Sequence, residues 1–458
     1  MRRGFLLLSS SSSSSRRAGS RLALACGLGL VVGLAGCGAE ESQAPATPDA
    51  PPAAESPAPP AAEAGPQTPE TLPNALVLAL AQFGPRQPGK PPVPLPATLE
   101  FVTRTGGEWK VTSLQEPASN VFHKAMRYAD ADGRESLLSA AGSVASLKLW
   151  TPSEAGPLAN TLWEKDFGGK FSRMRDVEVA DIFGDGRAVM VVATHDQGVV
   201  ALVIPGAEGT WEVQEIDREP DTFVHEIEVG DLDGDGTLEV YATPSEPNRL
   251  DGRPQSGRVT RYVPARGEGR KVVADLGERH AKEIFVDDVD GDGRDELYVI
   301  VEGRIEKQGE TSKLIDPVEI RRYDADTDPT QGVVIATIED RLGRFLTSGD
   351  LDGDGKKELV AALFSTGVWL LRPNADPLAT WSKEQVDADS GGFEHAAIIA
   401  DLDEDGVGEL YVASDNDSQL RRYVWHRGKL VREVIYDRTN GNSVFTWNIM
   451  PVPVGLVP

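Results

Sequence analysis

The sequence predicts an all-β fold, a seven-bladed β-propeller, and three observations carry that prediction. An acidic loop recurs six times, at intervals of 53, 50, 57, 62 and 51 residues. Each copy sits among four short runs with the alternation and the β-branched or aromatic content of strands. The 385 residues from 74 to 458 divide into seven units of 55.

Residues 1–36 read as a secretory leader. Arg2, Arg3, Arg16, Arg17 and Arg21 surround a serine run, and small and aliphatic residues follow from Leu22 to Gly36. That stretch is shorter than the roughly 20 residues that span a bilayer as a helix. Leu34-Ala35-Gly36-Cys37 matches the lipobox of bacterial lipoproteins. The resemblance implies cleavage before Cys37, lipidation of its thiol and attachment to a membrane of the bacterial cell envelope, periplasmic or surface-exposed. Two or three acyl chains anchor stably where one is marginal. Residues 37–73 are dominated by Ala, Pro, Glu, Ser and Thr. Such a segment cannot offset the entropy of ordering itself, so a disordered, semi-rigid tether is expected.

The propeller is expected over 74–458. Three strand-like runs, Ala75–Gln82, Ala97–Arg104 and Glu108–Leu114, precede the first acidic loop. One run, Ser443–Val454, follows the last. Its segment FTWNIMPVPV from Phe445 aligns with FVHEIEVGDL from Phe223 and FEHAAIIADL from Phe393. It therefore reads as the first strand of a blade whose other three strands lie in 75–116. Sharing a blade between the termini closes the ring and removes free sheet edges. Six further blades are expected near 121–170, 171–222, 223–279, 280–340, 341–391 and 392–440, each a short meander of four strands.

Four loops superimpose without gaps: VGDLDGDGTLEVYA from Val229, VDDVDGDGRDELYV from Val286, SGDLDGDGKKELVA from Ser348 and IADLDEDGVGELYV from Ile399. In the first, Asp231, Asp233, Asp235 and Glu239 occupy positions 1, 3, 5 and 9, and Thr237 at position 7 can offer its carbonyl. The Gly at position 6 permits a sharp turn. The equivalent sets are Asp288, Asp290, Asp292, Arg294 and Glu296; Asp350, Asp352, Asp354, Lys356 and Glu358; and Asp401, Asp403, Asp405, Val407 and Glu409. Five or more such oxygens suit Ca²⁺, and four carboxylates packed this closely repel one another without a cation. An EF-hand would need Glu at position 12, where Ala242, Val299, Ala361 and Val412 stand.

These loops resemble the FG-GAP (VCBS) repeats of integrin-α-like propellers over residues 121–440. The resemblance implies that each loop joins the first two strands of a blade, and that about four structural calcium ions are bound. Two weaker copies, RYADADGRESLLS from Arg127 and VADIFGDGRAVMVV from Val179, depart from the pattern. Tyr128 and Ser136 replace ligands in one, Phe183 and Val189 in the other, so no calcium or weak binding is expected there.

Charge and motifs narrow the function. The chain carries 46 basic against 72 acidic residues, a net −26, which repels phosphate backbones and argues against nucleic-acid partners. Two Cys cannot make a disulfide scaffold. There is no GxSxG, HExxH, P-loop or Cys/His metal spacing. The expectation is a monomeric, non-enzymatic module that binds a surface protein or a glycan. The alternative is a propeller-type polysaccharide lyase or glycoside hydrolase.

A ligand site is also expected. Six residues before position 1 stand Arg175, His225, Lys282, Arg344 and His395, with Trp447 in the closing strand. First strands line a propeller's channel, so these residues should ring the mouth opposite the acidic loops. Such a ring would take an anionic glycan or acidic peptide, more tightly below about pH 6.5 as the His charge.

Overall fold

The computed structural model describes residues 68–458 except 86–88, 169–171, 245–248, 250, 309–310 and 440. The described residues form seven four-stranded antiparallel sheets and one additional two-stranded ribbon. Blade 1 comprises Val121–Ala129, Glu135–Gly142, Ala145–Thr151 and Leu158–Lys165. Blade 2 comprises Met174–Ala180, Val189–Thr194, Val199–Pro205 and Trp211–Arg218. Blade 3 comprises Ile227–Gly230, Glu239–Ala242, Gly257–Val263 and Glu268–Gly277. Blade 4 comprises Ala281–Asp287, Glu296–Val301, Val318–Tyr323 and Val333–Ile338. Blade 5 comprises Gly343–Gly349, Glu358–Leu363, Val368–Arg372 and Ser382–Asp387. Blade 6 comprises Ala397–Ala400, Glu409–Ser414, Gln419–His426 and Lys429–Asp437.

The closing blade is shared between the termini, with strand order Glu108–Glu116, Ala97–Thr105, Asn74–Phe83 and Ser443–Pro453. The C-terminal strand runs in register along the whole of Asn74–Phe83, from Asn74 opposite Pro453 to Phe83 opposite Ser443, with a bulge at Ala79/Leu80. Asn74–Phe83 is apolar on both faces because each face packs against a neighbouring sheet. Leu76, Leu78 and Leu80 join a cluster with blade 6. Ala75, Val77 and Ala79 join one with blade 1. Burial on both sides explains why this strand reads as a continuous apolar run and not as an alternation.

The longest repeat interval, 62 residues, has a structural cause. A ribbon of Arg304–Gln308 and Thr311–Asp316 is inserted between the second and third strands of blade 4.

One boundary needs correction. Residues 68–73 were expected in the tether, yet they are seated on the closing blade. Leu72 is buried, and its amide donates to the Arg104 carbonyl at 3.2 Å. Gly107 N–H donates to the Glu70 carbonyl at 2.8 Å, and Arg104 Nε to the Pro69 carbonyl at 3.0 Å. Composition missed this because a single apolar side chain and three hydrogen bonds to or from the backbone leave little trace in a polar segment. The leader, Cys37 and the tether as far as residue 67 lie outside the described residues.

Candidate functional site

Each acidic loop joins the first and second strands of its blade. In blade 4, Asp288, Asp290, Asp292 and Glu296 each offer an oxygen within 4.8 Å of the others. Three carboxylates meet the same condition in the other loops: Asp231, Asp233 and Asp235; Asp350, Asp352 and Glu358; Asp401, Asp403 and Asp405. The position-1 Asp shapes the turn. Asp231 accepts the amide of Gly236 at 2.7 Å, and Asp288, Asp350 and Asp401 accept those of Gly293, Gly355 and Gly406 at 2.9, 2.8 and 2.8 Å. These glycines have φ of 82°, 90°, 81° and 90°, where a side chain would be strained. At position 7, the amides of Thr237, Arg294, Lys356 and Val407 each donate to the position-5 Asp at 2.9 Å.

Glu239, Asp354 and Glu409 stand outside these clusters. Every position-9 Glu is buried and paired with an Arg from its blade's third strand. Arg261 holds Glu239 and Arg422 holds Glu409. Arg322 lies 3.1 Å from Glu296 and Arg372 3.2 Å from Glu358. Arg322 also reaches Asp290, and Arg372 reaches Asp352 at 3.4 Å. Tyr298 and Tyr411 add hydroxyl donors to Glu296 and Glu409 at 2.8 and 3.1 Å. These arginines were legible in the third-strand runs, where Arg261, Arg322 and Arg422 each precede a Tyr. Read only for strand propensity, they showed no role.

The arginines offset part of the repulsion in the loops and leave oxygens for a hard cation. Asp352 Oδ1 and Asp403 Oδ1 are buried without a hydrogen-bond partner. Burial pushes Glu296 up to about 8. Burial, then the charges of Asp405 and Asp401, raise Asp403 above the usual carboxylate range. The donor set is all oxygen and fits calcium. In the two degenerate loops an arginine of the loop itself pairs with the acids. Arg134 binds Asp130 at 2.9 Å and Asp132 at 2.6 Å, and Arg187 binds Asp185 at 2.6 Å.

Position 8 ties four of the six loops, those of blades 2, 4, 5 and 6, to the blade before. Asp231 N–H donates to Asp295 Oδ2 at 2.8 Å. Lys357 lies 2.6 Å from Asp287. Gly408 N–H donates to the Asp350 carbonyl at 2.8 Å, and Tyr128 OH to the Ala188 carbonyl at 3.4 Å. A rigid loop therefore braces two blades.

At the channel, Arg175, Lys282, Arg344 and Trp447 line one central cavity. It measures about 10 Å³, room for roughly one water. The expected ring departs from this in three ways. His395 is turned away: it is fully buried, has φ of 56°, and bonds the Leu363 carbonyl and Ser390 Oγ, both at 2.7 Å. Its neighbour Glu394 lines the cavity instead. His225 meets His195 edge to face, with ring centroids 5.1 Å apart, outside the cavity lining.

The second departure is charge. The cations alternate with Asp176, Glu226, Glu283 and Glu394, so the lining is no isolated positive patch. Asp176, Glu226 and Glu283 stand one place beyond a ring position and Glu394 one place before, and two of them stitch the blades together. Asp176 accepts Ile227 N–H at 2.8 Å, and Glu283 accepts Leu346 N–H at 2.7 Å.

The third is pH. Burial lowers His395 to about 4 and holds His123 and His195 well below their usual value. A ring that titrates near 6.5 in the unfolded chain and near 4 in the fold stays neutral across that window. Its contribution to stability is complete above pH 6.5 and lost as pH falls toward 4. An NMR titration is expected to show the His395 ring neutral at pH 6. A midpoint near 6.5 would contradict its buried placement.

A model of the FG-GAP-like repeat matches residues 350–412, the blade-5 loop through the second strand of blade 6. The chain folds as a seven-bladed β-propeller and carries an FG-GAP-like repeat at these residues. Compared with curated protein sequences, the propeller matches none. Among solved structures it resembles a protein from Lactobacillus plantarum, with a TM-score of 0.52 and 11% identity, over 83% of this chain and 99% of that one. An Agrocybe aegerita lectin that recognises non-reducing terminal N-acetylglucosamine aligns with a TM-score of 0.48 and 14% identity, over 81% and 94% of the chains. A putative 6-phosphogluconolactonase from Bacteroides fragilis aligns with 0.48 and 13%, over 83% and 98%. At these identities the likeness is one of fold.

Proposed function

We propose that this FG-GAP propeller is a calcium-stiffened binding module, held at the bacterial cell envelope by lipid on Cys37. The observation that carries this reading is the recurrence of one oxygen-lined loop in four consecutive blades. Each loop sits where an ion would brace its own blade and its neighbour. Calcium here is structural, and the opposite mouth is left for a partner. A lyase or hydrolase would need room for a sugar ring between its acid and base. Burial does push Glu226 and Glu283 well up, as in catalytic acids, but the cavity beside them holds roughly one water. That favours binding over cleavage.

The test is a screen of envelope proteins and glycans against residues 38–458, with calcium and with chelator. Binding that requires calcium is the expected result. Turnover of a polysaccharide in the same screen would overturn the non-enzymatic reading. The anchor is tested separately. Cys37→Ala is expected to shift the full-length protein from the membrane to the soluble fraction and to abolish incorporation of labelled palmitate. Unchanged fractionation would exclude lipidation at Cys37.

A further inference from the structure

The channel mouth carries a second observation that bears on the ligand. Arg175 Nε, Arg344 Nε and Trp447 Nε1 are buried donors without an acceptor, and all three residues line the same cavity. Both arginines are more than nine-tenths buried, at 8% and 6% exposure. Buried donors are almost always satisfied, so three on residues that line one cavity call for an acceptor there.

The guanidinium groups are already fixed in place by their other ends. Arg344 Nη1 lies 2.7 Å from Glu302, and Arg175 Nη1 lies 3.4 Å from His123 Nδ1. Arg175 Nη2 lies 3.9 Å from Glu394. What remains is the Nε edge of each.

The acids around the cavity are largely engaged elsewhere. Asp176 binds Lys124 at 3.0 Å as well as the Ile227 amide, and Glu283 binds the Leu346 amide. Burial, with the charges of Asp176 and Glu283, pushes Glu226 well up, which reduces its repulsion of an incoming anion.

Size and rim chemistry narrow the ligand further. The cavity has room for roughly one water, so it takes a single oxygen of a ligand and not a ring. Outside it, Phe83, Phe445 and Phe393 meet edge to face, with centroids 5.8 Å apart in each pair. Phe393 is 36% exposed. Each of two rings already carries a guanidinium: Arg344 lies 5.3 Å over Phe393, and Arg175 4.8 Å over Trp447. A pyranose would need a ring face. An apolar side chain can pack against the uneven edges.

We propose that the mouth binds the C-terminal carboxylate of a peptide or protein ending in an apolar residue, with the carboxylate on Arg175, Arg344 and Trp447 and the last side chain against the phenylalanine rim. This rests on the binding-module reading and names its ligand class.

The test compares two fluorescein-labelled peptides ending in Ala-Phe, one with a free carboxylate and one amidated, by fluorescence polarisation on the calcium-loaded protein. The acid is expected to bind at least about tenfold tighter than the amide, a difference that a charge-assisted hydrogen bond supplies. Arg344→Met and Arg175→Met are each expected to bring the acid down to the level of the amide. Trp447→Phe, which keeps a ring and removes the donor, should cost a few-fold. Melting curves in calcium check that the variants fold. The wild-type comparison stands even if they do not.

Equal binding of acid and amide, or no binding of either, would overturn the proposal. Glucuronate binding in place of the peptide acid would overturn the peptide assignment. A ligand from the screen that ignores Arg344→Met would remove this site and leave the binding-module reading intact.

Discussion

Stripping divalent cations from the propeller is expected to lower its melting temperature by about 10–15 °C. At free calcium a hundred times the dissociation constant, each site adds about 2.7 kcal/mol, so four sites add about 11 kcal/mol. An unfolding entropy of roughly 2.1 cal/mol/K per residue converts that figure into the stated shift for a body of this size. The metal-free protein should still fold, because Arg261, Arg322, Arg372 and Arg422 each neutralise a buried Glu. Asp292→Ala removes one of four converging carboxylates in the blade-4 loop. It is expected to take away about a quarter of the calcium-induced gain while melting like the wild type in chelator. Asp185→Ala should leave that gain unchanged, since Asp185 already pairs with Arg187. Calorimetric scans in calcium and in excess chelator decide the matter. Superimposable wild-type curves would remove calcium from the account.

Deleting residues 443–458 is expected to abolish soluble, cooperative folding. The lost strand pairs with all of Asn74–Phe83 and buries Val444, Ile449 and Val452, and the tail after it buries Leu456. At roughly 1.5–3 kcal/mol for each fully buried apolar side chain, these four alone approach the 5–15 kcal/mol that holds a typical fold. The cut would also leave Asn74–Phe83 with an unpaired edge in the channel, an invitation to aggregate. Deleting residues 38–66 should leave the melting temperature unchanged. Deleting 68–73 should lower it, through loss of Leu72 and its bond to Arg104. Expression, size-exclusion chromatography and thermal melts of the three truncations provide the check. A monomeric C-terminal truncation that melts like the parent would refute the shared blade as the ring's closure.

Blade number, the shared closing blade and the four acidic loops were legible in the sequence because each depends on local pattern. Alternation marks a strand, an Asp-x-Asp-x-Asp-Gly turn shapes itself through its own backbone amides, and FTWNIMPVPV repeats the signature of other first strands. The arginine under each loop, the position-8 braces and the seat of Leu72 join residues far apart in the chain. They were recorded in the sequence as residue types without partners. The channel shows the limit most plainly. Arg175, Lys282, Arg344 and Trp447, which share one repeat offset, line one cavity, because strands in register put equivalent residues at equal depth. The same offset failed at His395, which has a positive φ, and it could not see the acids one place to either side. Periodicity determines which way a strand faces and how deep a residue lies. Only the packed ring decides what stands opposite, and opposite charges and unpaired donors are what give the mouth its chemistry.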